Sequence, residues 1–291
     1  MSVTVRMIKT GHADIAVAGT SGRELPLLLI HGNSSCKEVF RSQLDSELAA
    51  RYRMIAIDLP GHGASSDAFS PERTYSMPGY AETAMEVLAE LGIDRVAVLG
   101  WSLGGHVAME LMPRLPGLVG IMIAGAPPVR RDIEAIQQGF QPNPAVFLAG
   151  KNAFTAEDYE AFGALTLGRF AADAELRKAL HRAHGAARQM MFESLMAGRA
   201  SDQRELVERA SLPVAVVNGE RDPVVNVDYI GGLSYGTLWD EHCYILRGLA
   251  HVPFLESPTV FNPLLGRFMS DMARQAAQPF KVGKRSGTAA A

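Results

Sequence analysis

Gly100-Trp101-Ser102-Leu103-Gly104 sets a serine between glycines two residues before and two residues after it. That G-x-S-x-G spacing suits a sharp strand-to-helix turn, which strains the serine backbone and lifts its hydroxyl clear of the neighbouring chain. A serine hydroxyl is a poor nucleophile until a base takes its proton, and an acid must hold that base in the right tautomer. Two histidines follow residue 222, His242 and His251. His242 opens an apolar run and reads as structural. His251 lies just past that run, in Gly248-Leu249-Ala250-His251-Val252-Pro253, where a base belongs. For the acid, the end of the preceding apolar run offers Glu220 and Asp222. Asp222 precedes Pro223, which holds it extended and lets its carboxylate turn back toward the neighbouring strand end. Glu220 is the second candidate, with a solvated loop charge as its plain reading; Asp228 reads as a cap or solvent-facing residue of the next helix.

Attack by Ser102 on a carbonyl creates an oxyanion, which needs two backbone N–H donors. Leu103, the residue after the serine, supplies one. The other falls in His31-Gly32-Asn33, just after an apolar strand, with Asn33 positioned to donate and its side chain near the substrate. His31, and His62 in Pro60-Gly61-His62-Gly63, read as loop-shaping residues. His181 and His184 are three residues apart with no carboxylate or cysteine cluster around them, so they read as surface residues of a helix. No metal and no cofactor is expected. A serine nucleophile forms an acyl ester, which argues against chemistries that need a carboxylate nucleophile and an alkyl ester.

These side chains need a scaffold that gathers them. Apolar runs at 25–30, 53–57, 95–99, 118–123, 213–218 and 243–246 read as strands, several of them apolar on both faces. Residues 3–8 and 15–18 read as an antiparallel pair around a turn. Helical spacing appears over 38–50 and 79–91, the latter closed by Gly92, and the helix after Ser102 is ended by Pro113 and Pro116. Residues 66–76 read as a polar loop. The alternation predicts an α/β protein with a mostly parallel, eight-stranded sheet flanked by helices. Between Pro127-Pro128 and about residue 211 the rhythm breaks. Residues 156–165, 174–184 and 187–197 carry helical pattern and are rich in Phe and Met. We read 128–211 as a helical lid inserted between core segments 1–127 and 212–278. Most of its apolar side chains pack the lid; Phe140, Phe162 and Met191 are candidates to line a pocket, where Met and Phe suit flexible acyl chains. Residues 279–291, rich in Gly, Ser, Lys and Ala without apolar spacing, read as a disordered tail.

Composition narrows the partners. A hydrophobic content of 47% in 291 residues is enough for a large core, and a formal charge of −3 makes no electrostatic case for nucleic acid or an anionic membrane. No apolar run reaches transmembrane length, and the N-terminus lacks the basic-then-apolar pattern of a secretory signal. Cys36 and Cys243, far apart in sequence, make no disulfide framework. The expectation is a soluble, cytoplasmic protein acting on a small molecule.

Four motifs in order, His31-Gly32-Asn33-Ser34, Asp58-Leu59-Pro60-Gly61-His62-Gly63, Gly100-Trp101-Ser102-Leu103-Gly104-Gly105 and Gly248-Leu249-Ala250-His251, resemble the α/β-hydrolase superfamily over about residues 25–274. More narrowly, His31-Gly32-Asn33-Ser34-Ser35, Tyr75-Ser76-Met77-Pro78-Gly79-Tyr80-Ala81, Gly100 to His106 and Val216-Val217-Asn218-Gly219 are similar to the metal-independent N-acyl-homoserine lactonases of that fold. The resemblance implies the α/β-hydrolase fold and a quorum-quenching lactonase. Ser102 would attack the lactone carbonyl, His251 would move the proton and Asp222 would orient His251. Leu103 and Asn33 would hold the oxyanion, Trp101 would border the pocket and the lid would cover the acyl chain. Two departures stand out. Those lactonases carry Glu at the acid position, where this chain has Asp222. They also have a lid tyrosine near the substrate, where this chain has Phe162; Tyr159, about one helical turn earlier, is a candidate replacement, with a surface position as its plain alternative. The same triad serves general carboxylesterases and C–C bond hydrolases. A ligand-binding protein on this fold is a further class, against which the intact Ser102, Asp222 and His251 set argues.

Overall fold

The computed structural model describes residues 3–277. The apolar runs build one eight-stranded sheet in the order β1-β2-β4-β3-β5-β6-β7-β8. Its strands are β1 (Thr4–Lys9), β2 (Asp14–Gly19), β3 (Glu24–Ile30), β4 (Tyr52–Ile57), β5 (Val96–Trp101), β6 (Leu118–Ala124), β7 (Val214–Gly219) and β8 (Tyr244–Leu246). β2 is antiparallel to both β1 and β4, and every other pairing is parallel. β5 and β7 are buried at every position, which is why they read as unbroken apolar runs. Along β3 the alternation still sorts the two faces. Leu28 and Ile30 pack with the helices Met77–Glu90 and Leu103–Leu111, whereas Leu27 and Leu29 pack with Phe261, Leu265 and Phe268 of the helix Pro258–Ala277.

The strand order sets the site. From β3 the chain moves outward to β4, then crosses back over β3 to form β5 on the other side. The connections therefore diverge at the carboxyl ends of β3 and β5 and leave a crevice there, the usual ligand position in such sheets. Over that crevice sits the segment between β6 and β7. It contributes no strand to the sheet and folds into helices that include Ile133–Gly139, Ala156–Leu167, Ala174–Arg182 and Gly185–Met196, with a 3₁₀ stretch at Pro144–Gly150. Ala156–Leu167 starts with a capping box, in which the Thr155 hydroxyl accepts from the Asp158 N–H and the Asp158 carboxylate accepts from the Thr155 N–H.

Several local expectations are corrected. The helix expected over 38–50 is three short pieces, Lys37–Phe40, Arg41–Leu44 and Leu48–Arg51. The break falls at Asp45-Ser46, where the Ser46 hydroxyl and N–H both bond back to the Gln43 carbonyl, the competition with helix that short polar side chains offer. The polar loop at 66–76 holds a helical turn, Pro71–Thr74, started by its proline. Ile133–Gly139 and Gln203–Glu208 lie outside the expected helical stretches. Both are announced by aspartate caps, Asp132 and Asp202. No helix among the described residues is long and apolar enough to cross a membrane. The expected tail at 279–291 lies outside the described residues.

Candidate active site

Ser102 joins the two kinds of structure that meet at the crevice. Its N–H bonds to the Ala124 carbonyl of β6 at 2.8 Å, continuing the sheet. Its own carbonyl accepts from the Gly105 and His106 N–H groups at 2.8 and 3.2 Å, starting the helix Leu103–Leu111. The residue between adopts φ 52°, ψ −119°, a region that L-residues avoid and that marks stored strain at a functional position. The flanking glycines permit it. A Cβ at Gly100 would lie 2.1 Å from the Gly104 carbonyl oxygen, and one at Gly104 would lie 2.0 Å from that of Ile30. The helix presents its positive end to Ser102.

Asp222 and His251 meet 29 residues apart in sequence. His251 Nδ1 is 2.9 and 3.0 Å from the two Asp222 carboxylate oxygens, and both side chains are buried. Asp222 Oδ1 also accepts from the N–H groups of Val224 (2.8 Å) and Val225 (3.1 Å), and Oδ2 accepts from Asn218 Nδ2 at 3.2 Å. Asn218 Oδ1 in turn accepts from the Gly125 N–H beyond β6. The His251 loop is fixed from below. Glu256 accepts from the Ala250 and Val252 N–H groups on either side of it, and Trp101 Nε1 donates to the His251 carbonyl at 2.8 Å. Nε2 of His251 is buried without a hydrogen-bond partner among the described residues. Glu220, the second acid candidate, instead accepts from the Gly248 N–H at 2.9 Å. Sequence reasoning passed over Asn218 and Glu256 as supports. Neither fits a recognised spacing: Asn218 bridges Asp222 and the distant Gly125, and Glu256 braces a non-helical loop just before it in the chain.

The loop after β3 lies directly against the serine. A Cβ on Gly32 would stand 3.1 Å from the Ser102 Cβ and 2.9 Å from the Trp101 ring. Leu103, as the first residue of its helix, has an N–H with no intrahelical acceptor, and it stands beside the same loop. The Asn33 side chain faces the insertion: Nδ2 donates to the Ala149 carbonyl at 2.9 Å, and Oδ1 accepts from the Ser34 hydroxyl at 3.0 Å. Arg188 completes the tie. It is 2% exposed, and its guanidinium donates to the carbonyls of Lys151, Asn152 and Ala183 and to the Ser34 hydroxyl. His31 donates and accepts within its own loops, through Gly32 and Leu59, and burial lowers its pKa, so it stays a neutral structural group.

Ser102, His251, Asn33, Leu103 and Trp101 all line one cavity of about 510 Å³ between the sheet edge and the insertion. Phe140, Phe162 and Met191 lie on its wall, as do Phe147 and Phe192. Tyr159 does not. Three residues before Phe162 on the same helix, it turns toward Ala174–Arg182, where its ring stacks on His181 at 3.9 Å and meets Phe154 edge-on. The candidate replacement for the lid tyrosine is therefore a packing residue between helices. His184, the other histidine of that pair, bonds through Nδ1 to the Tyr75 hydroxyl at 2.9 Å.

Residues 27–264 match the profile of the alpha/beta hydrolase family. The chain belongs to the alpha/beta hydrolase family. Among solved members, it is similar to N-acyl homoserine lactonase AidH complexed with N-butanoyl homoserine, at TM-score 0.89 and 41% identity over 95% of this chain and 98% of that one. It is more distantly similar to the esterase RhEst1 from Rhodococcus sp. ECU1013, at TM-score 0.73 and 27% identity over 94% of this chain and all of that one. In sequence it is 29% identical to the pimeloyl-[acyl-carrier protein] methyl ester esterase of Sodalis glossinidius, over 86% of this chain and 95% of that one. Lactones and carboxylic esters share the acyl–oxygen bond, so these neighbours support an ester-bond hydrolase.

Proposed function

We propose that the protein is a serine hydrolase that opens the ring of N-acyl-homoserine lactones through an acyl-enzyme on Ser102. The observation that carries the reading is one apolar cavity into which three things converge. They are a serine held at positive φ, a histidine oriented by Asp222 with its Nε2 unpartnered, and a loop packed against that serine. Similarity to an acyl-homoserine lactonase across nearly the whole chain supports the substrate class.

In this reading His251 Nε2 takes the proton of the Ser102 hydroxyl as Oγ attacks the lactone carbonyl. The oxyanion forms against the N–H groups of Leu103 and Asn33. Collapse breaks the ring C–O bond, and His251 hands its proton to the alkoxide, which stays attached as the homoserine hydroxyl. Water, deprotonated by the same nitrogen, then attacks the acyl carbonyl; His251 returns that proton to Ser102 Oγ as the acyl–Oγ bond breaks, and N-acyl-homoserine is released. Asp222 remains ionised and stabilises the imidazolium at each stage. The acyl chain lies along the Phe and Met wall.

The test is ring opening of N-hexanoyl homoserine lactone followed by mass spectrometry, with para-nitrophenyl butyrate as comparator and a chelator present throughout. Faster opening of the lactone than of the ester, abolished in Ser102→Ala, is the expected result. Turnover of the ester with intact lactone would make the protein a carboxylesterase instead. Sensitivity to the chelator would overturn the metal-free route.

A further inference from the structure

Three buried polar side chains among the described residues line the cavity: Asn33, His251 and His106. The first two belong to the reaction corner. His106 has no part in the mechanism above, although it stands one helical turn beyond Ser102 and is only 5% exposed. Its hydrogen-bond state is fixed from behind. Nδ1 lies 2.7 Å from Gln203 Oε1, and Gln203 Nε2 points the other way, to the Met77 sulfur at 3.6 Å. The amide oxygen therefore faces the ring, so Nδ1 carries the hydrogen and Nε2 bears a lone pair. Burial pushes the His106 pKa down to about 4, which keeps the ring neutral near pH 7.

Nε2 has no hydrogen-bond partner among the described residues, and unlike His251 Nε2 it is not sealed from contact. It is an acceptor in the cavity wall beside Phe140. The other polar wall residues are less buried. Gln141 and Thr166 bond to main-chain carbonyls, the Asn143 side chain caps Ala145, and Gln137 sits at the exposed mouth. A ligand that covers this acceptor without offering it a donor leaves it unpaired at a cost in free energy, and a ligand that brings a donor avoids that cost.

We propose that His106 Nε2 is a specificity-determining acceptor that takes a hydrogen bond from an N–H or O–H on the acyl arm of the substrate. The nearest donor an N-acyl-homoserine lactone carries is the amide N–H next to its reacting carbonyl; a hydroxyl on the β carbon of the chain is the other source. The enzyme then prefers substrates with such a donor over shape-matched substrates without one. This deepens the lactonase reading and rests on it for the choice of lactone.

The experiment compares kcat/KM for N-hexanoyl homoserine lactone with that for α-hexanoyloxy-γ-butyrolactone, in which oxygen replaces the N–H. A second pair, para-nitrophenyl N-hexanoylglycinate and para-nitrophenyl hexanoyloxyacetate, repeats the contrast without a lactone ring. For each pair the ratio cancels differences in intrinsic reactivity between enzyme variants and in the amount of folded protein. Relative to wild type, His106→Phe is expected to lower the ratio by about tenfold, mainly through KM, because the bond is present in ground and transition states alike. His106→Gln, which retains an acceptor, is expected to keep most of it. A β-hydroxyl added to the O-acyl lactone restores turnover only if the chain hydroxyl is the donor read. An unchanged ratio in His106→Phe, or equal losses in Phe and Gln variants, would overturn the proposal and leave His106 a packing residue. If both lactones are inert while the nitrophenyl pair shows the His106-dependent ratio, the lactonase reading falls and the acceptor role stands.

Discussion

Replacing Asp222 by Asn tests the site most sharply, because the surrounding bonds dictate which way the new amide must point. Oδ1 of Asp222 is held by two main-chain donors, from Val224 at 2.8 Å and Val225 at 3.1 Å. In Asp222→Asn the carbonyl oxygen has to keep that position, so the NH2 group replaces Oδ2, which lies 2.9 Å from His251 Nδ1. An N–H now faces Nδ1. The retained oxygen also lies 3.0 Å from Nδ1, but its lone pairs are engaged by the two valine N–H groups, so the imidazole accepts from the new N–H and carries its hydrogen on Nε2, the tautomer that cannot take a proton from Ser102. Loss of the correct tautomer costs about 10⁴-fold in kcat, or about 5.4 kcal/mol of barrier. The same NH2 group meets Asn218 Nδ2, formerly 3.2 Å from Oδ2, donor against donor. That adds about 1–3 kcal/mol of destabilisation. The assay is initial-rate hydrolysis of para-nitrophenyl butyrate by wild type and variant, with urea unfolding of both to show the variant is folded. A variant that unfolds cooperatively yet keeps activity within tenfold of wild type would refute the assignment of Asp222 as the residue that orients His251.

Three further outcomes follow from the same structure. Gly104→Ala drives a Cβ, fixed on the helix backbone, to within 2.0 Å of the main-chain carbonyl oxygen of Ile30; soluble yield is expected to collapse, with a loss above about 4 kcal/mol in urea unfolding of any protein recovered. Lys37→Met strands the fully buried Asp58 carboxylate, which keeps main-chain bonds from Lys37 and Ala64 but loses the ammonium 2.9 Å away. The expected loss is about 3–5 kcal/mol, read as a shift in urea midpoint. Burial depresses the pKa of His62 to about 3 and of His106 to about 4, from 6.5. The unfolded chain therefore binds more protons than the folded one between those values, so this contribution is intact above pH 6.5 and drains away as pH falls toward 4. Each group removes about 1.4 kcal/mol per pH unit across that window. Urea unfolding at pH 7, 6 and 5 should show declining stability, and His62→Phe should flatten the slope.

Much of the site was legible in the chain because its parts announce themselves locally. G-x-S-x-G can be read from five residues, since the steric demands at Gly100 and Gly104 arise within the turn and the strand beside it. The apolar runs of β3 to β7 mark strands covered on both faces, and their alternation with helices restricts the sheet to a mostly parallel one. The order of Ser102, Asp222 and His251 then gives each residue a strand end. The helices that escaped notice, Ile133–Gly139 and Gln203–Glu208, are short and carry their signal in a single capping aspartate each.

What the sequence determined by itself was the set of chemical groups, the strands that carry them and the class of scaffold, because backbone sterics and apolar periodicity act over a few residues. Tertiary structure decided which side chains share the cavity. Tyr159 and Phe162 are three residues apart on one helix, and only the packing of Ala174–Arg182 turns the first onto His181 and leaves the second on the cavity wall. His106 follows the serine by four residues, yet its role as an acceptor depends on Gln203, 97 residues away, fixing its tautomer. Asp222 is distinguished from Glu220 by distances to His251 and Gly248 across a loop. Hydrogen bonds and ring contacts are ångström-scale relations between distant segments, and no spacing along the chain encodes them.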